Sequence, residues 1–92
     1  MLFYLYLNNN INKMAEVKRT YYTSGELESE WFEINGKMYG EYKQYYKNGI
    51  IHIICNYYNN ILNGEHKQYY DNGQLCKKII YVNGKWSIYM LL

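Results

Sequence analysis

The sequence contains no proline, only two cysteines, and a formal net charge of only +2 at pH 7. A charge this close to zero gives no argument for a polyanionic partner. The apolar opening stretch, MLFYLYL, covers only residues 1–7 and is followed at once by three asparagines. A membrane-spanning helix needs ~20 apolar residues, and a secretory signal needs a charged start and a small-residue cleavage site. We therefore expect neither a transmembrane segment nor a signal peptide.

Signatures of catalysis are also missing. The sequence has no P-loop, no GxGxxG, no GxSxG and no Ser-His-Asp set. His52 and His66 have no cysteine or histidine at the spacing of a zinc site. A chain of 92 residues also buries too little surface to build a deep pocket easily. We expect a protein that is not an enzyme and that has neither a metal site nor a cofactor.

A tandem repeat is the clearest feature that is present. Gly25, Gly49 and Gly73 lie 24 residues apart, and each ends a phrase that starts with two tyrosines. The segments GEYKQYYKNG (40–49) and GEHKQYYDNG (64–73) are identical at 8 of 10 positions. We interpret residues 1–92 as a single repeat domain. It has a degenerate first unit at 1–15, repeats at about 16–39, 40–63 and 64–87, and a degenerate C-terminal end at 88–92.

Each repeat carries two strand signals and two turn signals. Asn48-Gly49 is a strong signal for a two-residue type I′ hairpin, and Asn35-Gly36, Asn59-Asn60 and Asn83-Gly84 mark the second turn. No run keeps a helical period, whereas β-branched and aromatic residues crowd the longer segments. The pattern predicts an all-β fold in which tandem ~24-residue β-hairpins form a single-layer antiparallel meander sheet. The predicted strands are 2–8, 16–22, 26–34, 41–46, 50–58, 65–70, 74–82 and 86–91.

A two-residue turn also fixes which side chains face each other. It places Tyr46 opposite Ile51, Gln44 opposite Ile53 and Tyr42 opposite Cys55. By the repeat period, Tyr22 then pairs with Leu27, Tyr70 with Leu75 and His66 with Ile79. The candidate binding face that follows from the period is an aromatic–aliphatic ladder, made of Tyr22, Leu27, Tyr46, Ile51, Tyr70 and Leu75. The chain has 14 tyrosines, and simple packing of the sheet also accounts for such columns, so that alternative stays open.

The opposite face carries a basic column with tyrosines beside it. Its residues are Arg19, Lys43, Lys67, Tyr45 and Tyr69. Charge and stacking together favour anionic ligands, either single-stranded nucleic acid or phosphoinositide headgroups. Glu41 and Glu65 share this face and nearly cancel its charge, so the nucleic-acid signal is not strong.

The order of the motifs resembles a known family. YYxNG, an aliphatic strand, a Tyr or Phe run and NGxxxG follow one another over about residues 16–86, in the manner of the MORN-variant repeat. The chain is also similar to bacterial proteins described as YwqK-family antitoxins and to MORN-repeat proteins of large DNA viruses. Glu16 and Ile88 stand where the family has glycine, and Asn60 replaces a turn glycine. The resemblance implies a twisted single-layer sheet of hairpins, a binding or scaffolding role, and no catalytic residue.

Two functions remain open at this point. The first is a protein-interaction or scaffold module, with the antitoxin as one form of it. Its partner would be a toxin in a bacterium, and a host or viral protein in a large virus. The second is a binding surface for anionic ligands.

The cysteines bear on the compartment. Cys55 matches Trp31 and Ile79 in the other repeats, so cysteine does not recur at the repeat spacing as a disulfide of the fold would. We expect free thiols and an intracellular protein, cytoplasmic or in the host cell if viral.

The outermost predicted strands have unprotected edges. Both MLFYLYL and residues 86–92 are apolar, and neither has the charges or prolines that block edge pairing. We expect self-association through these strands, or a partner that adds a strand there by β-augmentation.

Overall fold

Alternating turns divide the chain into antiparallel strands, and the fold follows from their spacing. The computed structural model describes the backbone of residues 2–7 and 11–92 and the side chains of residues 15–92. Within these residues the fold is all-β, as predicted. The strands are β1 (Leu2–Leu7), β2 (Ile11–Tyr21), β3 (Leu27–Ile34), β4 (Lys37–Met38), β5 (Gly40–Tyr45), β6 (Ile51–Tyr58), β7 (Ile61–Leu62), β8 (Gly64–Tyr69), β9 (Leu75–Val82) and β10 (Lys85–Leu91).

All ten strands belong to one sheet. Its order is β1-β2-β3-β5-β6-β8-β9-β10, with β4 paired to β3 and β7 paired to β6. Its extents of 44 × 37 × 14 Å fit a single layer, and the predicted antiparallel meander is confirmed. Two details differ from the prediction: β2 begins at Ile11 rather than at 16, and the short strands β4 and β7 were not expected.

The second turn of each repeat has the type I′ geometry that hairpins favour. Positive φ is required at both central positions of such a turn. Asn35 and Gly36 have φ of 52° and 76°, and Asn59 and Asn60 have φ of 52° and 70°. Asparagine is the residue other than glycine that best tolerates this region, which explains Asn60 in a glycine slot.

The first turn of each repeat differs from the prediction. Gly49 has φ of 89°, but Asn48 does not have positive φ. The Gly49 N–H donates to the Tyr46 carbonyl at 2.9 Å, and the Tyr46 N–H donates to the Ile50 carbonyl at 2.8 Å. This is a three-residue loop, a type I turn followed by a left-handed glycine. The type I′ assignment at Asn48-Gly49 is therefore wrong. Asn48 serves instead as an acceptor, because its Oδ1 binds the Ile50 N–H at 3.0 Å.

A β-bulge beside this loop changes the register. Gln44 lies opposite Ile53 as predicted, but Tyr45 lies opposite Ile51, so His52 is the extra residue. The same shift places Tyr21 opposite Leu27 and Tyr69 opposite Leu75. The predicted pairs of Tyr46 with Ile51, Tyr22 with Leu27 and Tyr70 with Leu75 are wrong. Farther from the loop, the predicted pairs of Tyr42 with Cys55 and His66 with Ile79 are confirmed.

The buried core is thin, as a one-layer sheet requires. Among residues 15–92 only four hydrophobic residues are buried, Ala15, Ile34, Cys55 and Ile79, together with the polar Ser29. No second layer covers either face of the sheet in the described part of the chain. Stability must therefore come mainly from contacts between neighbouring repeats, as in other one-dimensional arrays.

Candidate protein-binding face

Strand alternation sorts the side chains onto two faces. Residues directly opposite each other on antiparallel strands point to the same face, and successive residues point to opposite faces. One face, here called the aromatic face, contains Thr20, Ser29, Trp31, Tyr42, Cys55 and Tyr57. The other, here called the ion-pair face, contains Arg19, Glu30, Glu41, Lys43, Glu65 and Lys67.

The aromatic face carries a chain of ring contacts that crosses the repeats. Trp31 and Tyr42 have ring centroids 5.8 Å apart, and Tyr42 and Tyr57 have centroids 6.2 Å apart in an edge arrangement. Cys55, opposite Tyr42, is only 2% exposed. Burial raises the pKa of the Tyr42 and Tyr57 hydroxyls. The rings are half-buried, so the face offers apolar area to a partner while staying in contact with water.

One end of the aromatic face is hollowed into a groove of about 380 Å³. The rings of Trp31 and Tyr42 and the side chain of Met38 line it, as do the carboxylates Glu28 and Glu33. The Trp31 Nε1–H donates to Glu33 Oε2 at 2.8 Å, which holds the indole in place. We call this hollow the Trp31 groove.

The ion-pair face is a network of paired charges. Arg19 Nε lies 2.7 Å from Glu30 Oε2, and Lys43 Nζ lies 3.4 Å from Glu41 Oε1. Glu65 binds both Lys67, at 3.3 Å, and Lys78, at 2.6 Å. Lys78 and Lys67 lower the pKa of the Glu65 carboxyl through these hydrogen bonds. The basic column that the sequence suggested for anionic ligands is thus already occupied by carboxylates of the same face.

The bulge separates the residues of the predicted binding face. Tyr45 lies two residues after Lys43 on β5, so both side chains point to the ion-pair face. Ile51 lies opposite Tyr45 and therefore belongs to the ion-pair face as well. Tyr46 follows Tyr45 directly, so its side chain leaves the backbone towards the aromatic face. The same holds in the other repeats. The structure therefore does not bring the predicted set together: Tyr22, Tyr46 and Tyr70 are separated from Leu27, Ile51 and Leu75.

Two of these tyrosines, Tyr22 and Tyr46, link neighbouring repeats instead. The Tyr22 hydroxyl donates to the Tyr45 carbonyl at 2.5 Å, and the Tyr46 hydroxyl donates to the Tyr69 carbonyl at 2.7 Å. The Tyr46 ring also stacks on His52, with centroids 4.2 Å apart. Both hydroxyls reach a carbonyl 23 residues later, a regularity that the repeat period alone could have suggested.

Removing this link tests its contribution to stability. We expect Tyr46→Phe to lower the free energy of unfolding by about 0.5–1.5 kcal/mol, the usual net value of one hydrogen bond. Tyr70→Phe is the matched control, because Tyr70 is 48% exposed and, among the described residues, its hydroxyl makes no hydrogen bond to a backbone carbonyl like those of Tyr22 and Tyr46. Urea unfolding of both variants provides the measurement. Equal losses in the two variants would contradict the linking role.

Neither histidine builds a metal site. His66 Nδ1 is buried with no hydrogen-bond partner, and burial lowers the pKa of its imidazole. Within residues 15–92, no group of three or more His, Cys, Asp or Glu side chains is placed to hold a metal ion. His66 instead contacts the Tyr81 ring edge-on, with centroids 6.0 Å apart.

The fold and the face define a class of protein. A hairpin array with an extended aromatic surface is suited to binding or scaffolding. Residues 38–60 and 62–83 each match the model of the MORN repeat variant. The chain is a MORN-variant repeat protein, and this family generally serves as non-catalytic binding modules. Comparison with curated proteins and with solved structures finds no match.

Two similarities suggested by the sequence stay predictions, because the comparisons do not test them. These are the similarity to YwqK-family antitoxins and the similarity to viral MORN-repeat proteins. Among the residues that the structure describes, no helix is long and apolar enough to cross a membrane.

Proposed function

We propose that the chain is a protein-interaction or scaffold module that binds a polypeptide partner on its aromatic face. The observation that carries the proposal is the row of half-buried rings, Trp31, Tyr42 and Tyr57, on a sheet face that no second layer covers in the described part of the chain. Aromatic residues are enriched at protein interfaces because they bury a large area at low entropic cost. An antitoxin-like role, with a toxin as partner, is one form of this function.

The compartment belongs to the same proposal. Cys55 and Cys76 are both free thiols. Free cysteines fit a reducing environment. We therefore place the module inside the cell.

The anionic-ligand alternative has less support. The residues it needs, Arg19, Lys43 and Lys67, each hold a carboxylate within 3.4 Å. A phosphate would have to displace these carboxylates before it could bind. Lys47 lies 5.6 Å from the centroid of the Tyr22 ring, outside that network, but a single cation is a weak anchor.

An affinity experiment tests the proposal. Immobilised wild-type chain is exposed to a lysate of its own source cells, beside a variant with Trp31→Ala and Tyr57→Ala and a matched control with Lys43→Ala and Lys67→Ala. Retention of a defined protein that is lost only in the aromatic variant supports the proposal. Amide infrared spectra check that each variant keeps its strands.

Salt separates the two functions. Contacts between phosphates and Lys or Arg weaken by orders of magnitude between about 50 and 200 mM salt, whereas a largely apolar contact does not. Retention that disappears with salt and with the lysine variant contradicts the proposal and favours the anionic alternative.

The edge strand β10 suggests a further contact. Within the described residues β10 pairs only with β9, and all seven of its residues are exposed. Ile88 is 53% exposed, and the exposed large hydrophobic residues of this strand also include Trp86, Tyr89, Met90 and Leu91. The free edge of an apolar edge strand is a template for pairing with another strand. We propose that the 92-residue chain self-associates through β10 and through β1, which pairs only with β2 among the strands that the structure describes.

Lysine substitutions at the edges test self-association. We expect Ile88→Lys, and likewise Leu5→Lys in β1, to raise the monomer fraction, because a charge on an edge strand opposes pairing. Thr23→Lys is the control. It adds the same charge at an exposed turn position where the next repeat already has Lys47. Light scattering that shows a monomer for the wild-type chain at high concentration would contradict the proposal.

A further inference from the structure

The Trp31 groove is negatively charged and has no cation of its own. Its two carboxylates are Glu28 and Glu33, and no lysine or arginine lines it. Elsewhere in residues 15–92, Glu16, Glu30, Glu41 and Glu65 each form an ion pair, whereas no ion pair involves Glu28 or Glu33. Glu28 accepts a hydrogen bond from the Thr20 hydroxyl at 3.3 Å. The groove therefore holds two carboxylates that are hydrogen-bonded but not neutralised.

The aromatic walls of the groove suit a cation as well. The Trp31 and Tyr42 rings, tilted by 34° at a centroid distance of 5.8 Å, both line the groove. The face of a tryptophan ring is the strongest cation–π acceptor among side chains, and guanidinium groups also stack on such rings. A carboxylate beside the rings adds a hydrogen-bond acceptor for the same cation.

The combination occurs in one repeat only. At the positions equivalent to Glu28, Trp31 and Glu33, the next repeat has His52, Cys55 and Tyr57. A requirement of the fold would recur at the repeat spacing, as the turn glycines do. The acidic and aromatic character of this groove therefore exceeds what the hairpin needs.

The nearest cation in register does not fill the groove. Lys18 lies opposite Trp31, but its ammonium pairs with Glu16 at 3.5 Å. A surface pair of this length is weak and does not cancel the charge of Glu28 and Glu33.

We propose that the Trp31 groove binds the cationic side chain of an arginine or lysine from the partner polypeptide. The proposal rests on the proposed function, since it names the feature by which the aromatic face recognises its partner. The cation lies against Trp31 and Tyr42, and Glu33 and Glu28 accept its hydrogen bonds.

The test uses two matched tripeptides. The ¹⁵N-labelled chain is titrated with acetyl-Gly-Arg-Gly-amide and with acetyl-Gly-citrulline-Gly-amide, a neutral isostere, while the indole N–H signal of Trp31 is followed. We expect saturable shifts with the arginine peptide and at least about fivefold weaker binding of the citrulline peptide, because only the first carries a charge. Equal responses to the two peptides, or none to either, would overturn the proposal.

Variants locate the site. Glu33→Gln keeps an acceptor for the Trp31 N–H but removes the charge, so it should weaken arginine binding about fivefold. Glu41→Gln, on the ion-pair face, is the control and should leave binding unchanged. Lys18→Met removes the nearest competing cation and should strengthen binding. Equal effects of the two glutamine variants would overturn the assignment to this groove.

If neither peptide binds while the lysate partner is still retained through Trp31 and Tyr57, the proposed function stands without this recognition element.

Discussion

Replacing Gly49 with valine is expected to lower the free energy of unfolding by about 1–3 kcal/mol, the usual cost of holding a residue in a sparsely populated backbone region. Gly49 has φ of 89°, which a β-branched residue adopts only under strain. A Cβ placed there meets no atom within 4 Å apart from its chain neighbours, so we attribute the loss to the backbone conformation. Urea unfolding, with an unchanged slope against denaturant, gives the measurement.

Two comparisons sharpen this result. Gly49→Asn should lose much less stability, because asparagine tolerates left-handed backbone. Gly73→Val, in the equivalent turn with φ of 90°, should lose about as much as Gly49→Val. A Gly49→Val protein that unfolds like the wild type would contradict the left-handed glycine of this loop.

The turn dipeptides show how far sequence reasoning reaches. Asn35-Gly36 and Asn48-Gly49 have the same dipeptide sequence, and the prediction that both lie in turns is correct. Only the first forms a type I′ turn, because the second belongs to a three-residue loop in which Asn48 bonds the Ile50 N–H. The dipeptide predicts a reversal of the chain, but it does not fix the loop length.

The unpredicted loop length at Asn48-Gly49 accounts for the wrong pairing of residues in the predicted binding face. A one-residue change in register moves side chains to the opposite face of a sheet. The bulge at His52 therefore separated Tyr46 from Ile51, although both residues were rightly placed in or beside strands. Pairs beyond the bulge, such as Tyr42 with Cys55, were predictable because alternation resumes in phase.

The ring contacts of the aromatic face could not be predicted from the sequence for a second reason. Trp31 and Tyr42 belong to β3 and β5, which pair directly only through Ser29 with Gln44 and Glu30 with Lys43. Against β3, the register shifts by two residues between β4 and β5, because Glu33 lies opposite Met38 whereas Glu30 lies opposite Lys43. Neither the repeat period nor residue preferences fix such a shift.

The two cysteines should differ in reactivity by about 100-fold or more in the native protein. Cys55 is 2% exposed, and burial raises the pKa of its thiol to about 11 from the ordinary value of 9.0. Only the thiolate reacts, and each pKa unit changes its population about tenfold at a pH below both values. The reagent must also wait for local opening to reach Cys55, whereas Cys76 is partly exposed.

Labelling with a chromogenic disulfide at pH 8 measures both rates. The Cys55→Ser variant keeps only the Cys76 thiol and should react fast. The Cys76→Ser variant keeps only the Cys55 thiol and should react slowly. The rate at Cys55 should rise about tenfold per pH unit up to about pH 11, because its thiolate is scarce below that pH. Since folding favours the protonated thiol, this group's contribution to stability is constant below its unfolded pKa and is lost as pH rises through about 11. Strong denaturant should make the two rates similar. Similar rates in the native protein would show that the aromatic face opens readily at Cys55, in conflict with the close packing of this residue opposite Tyr42.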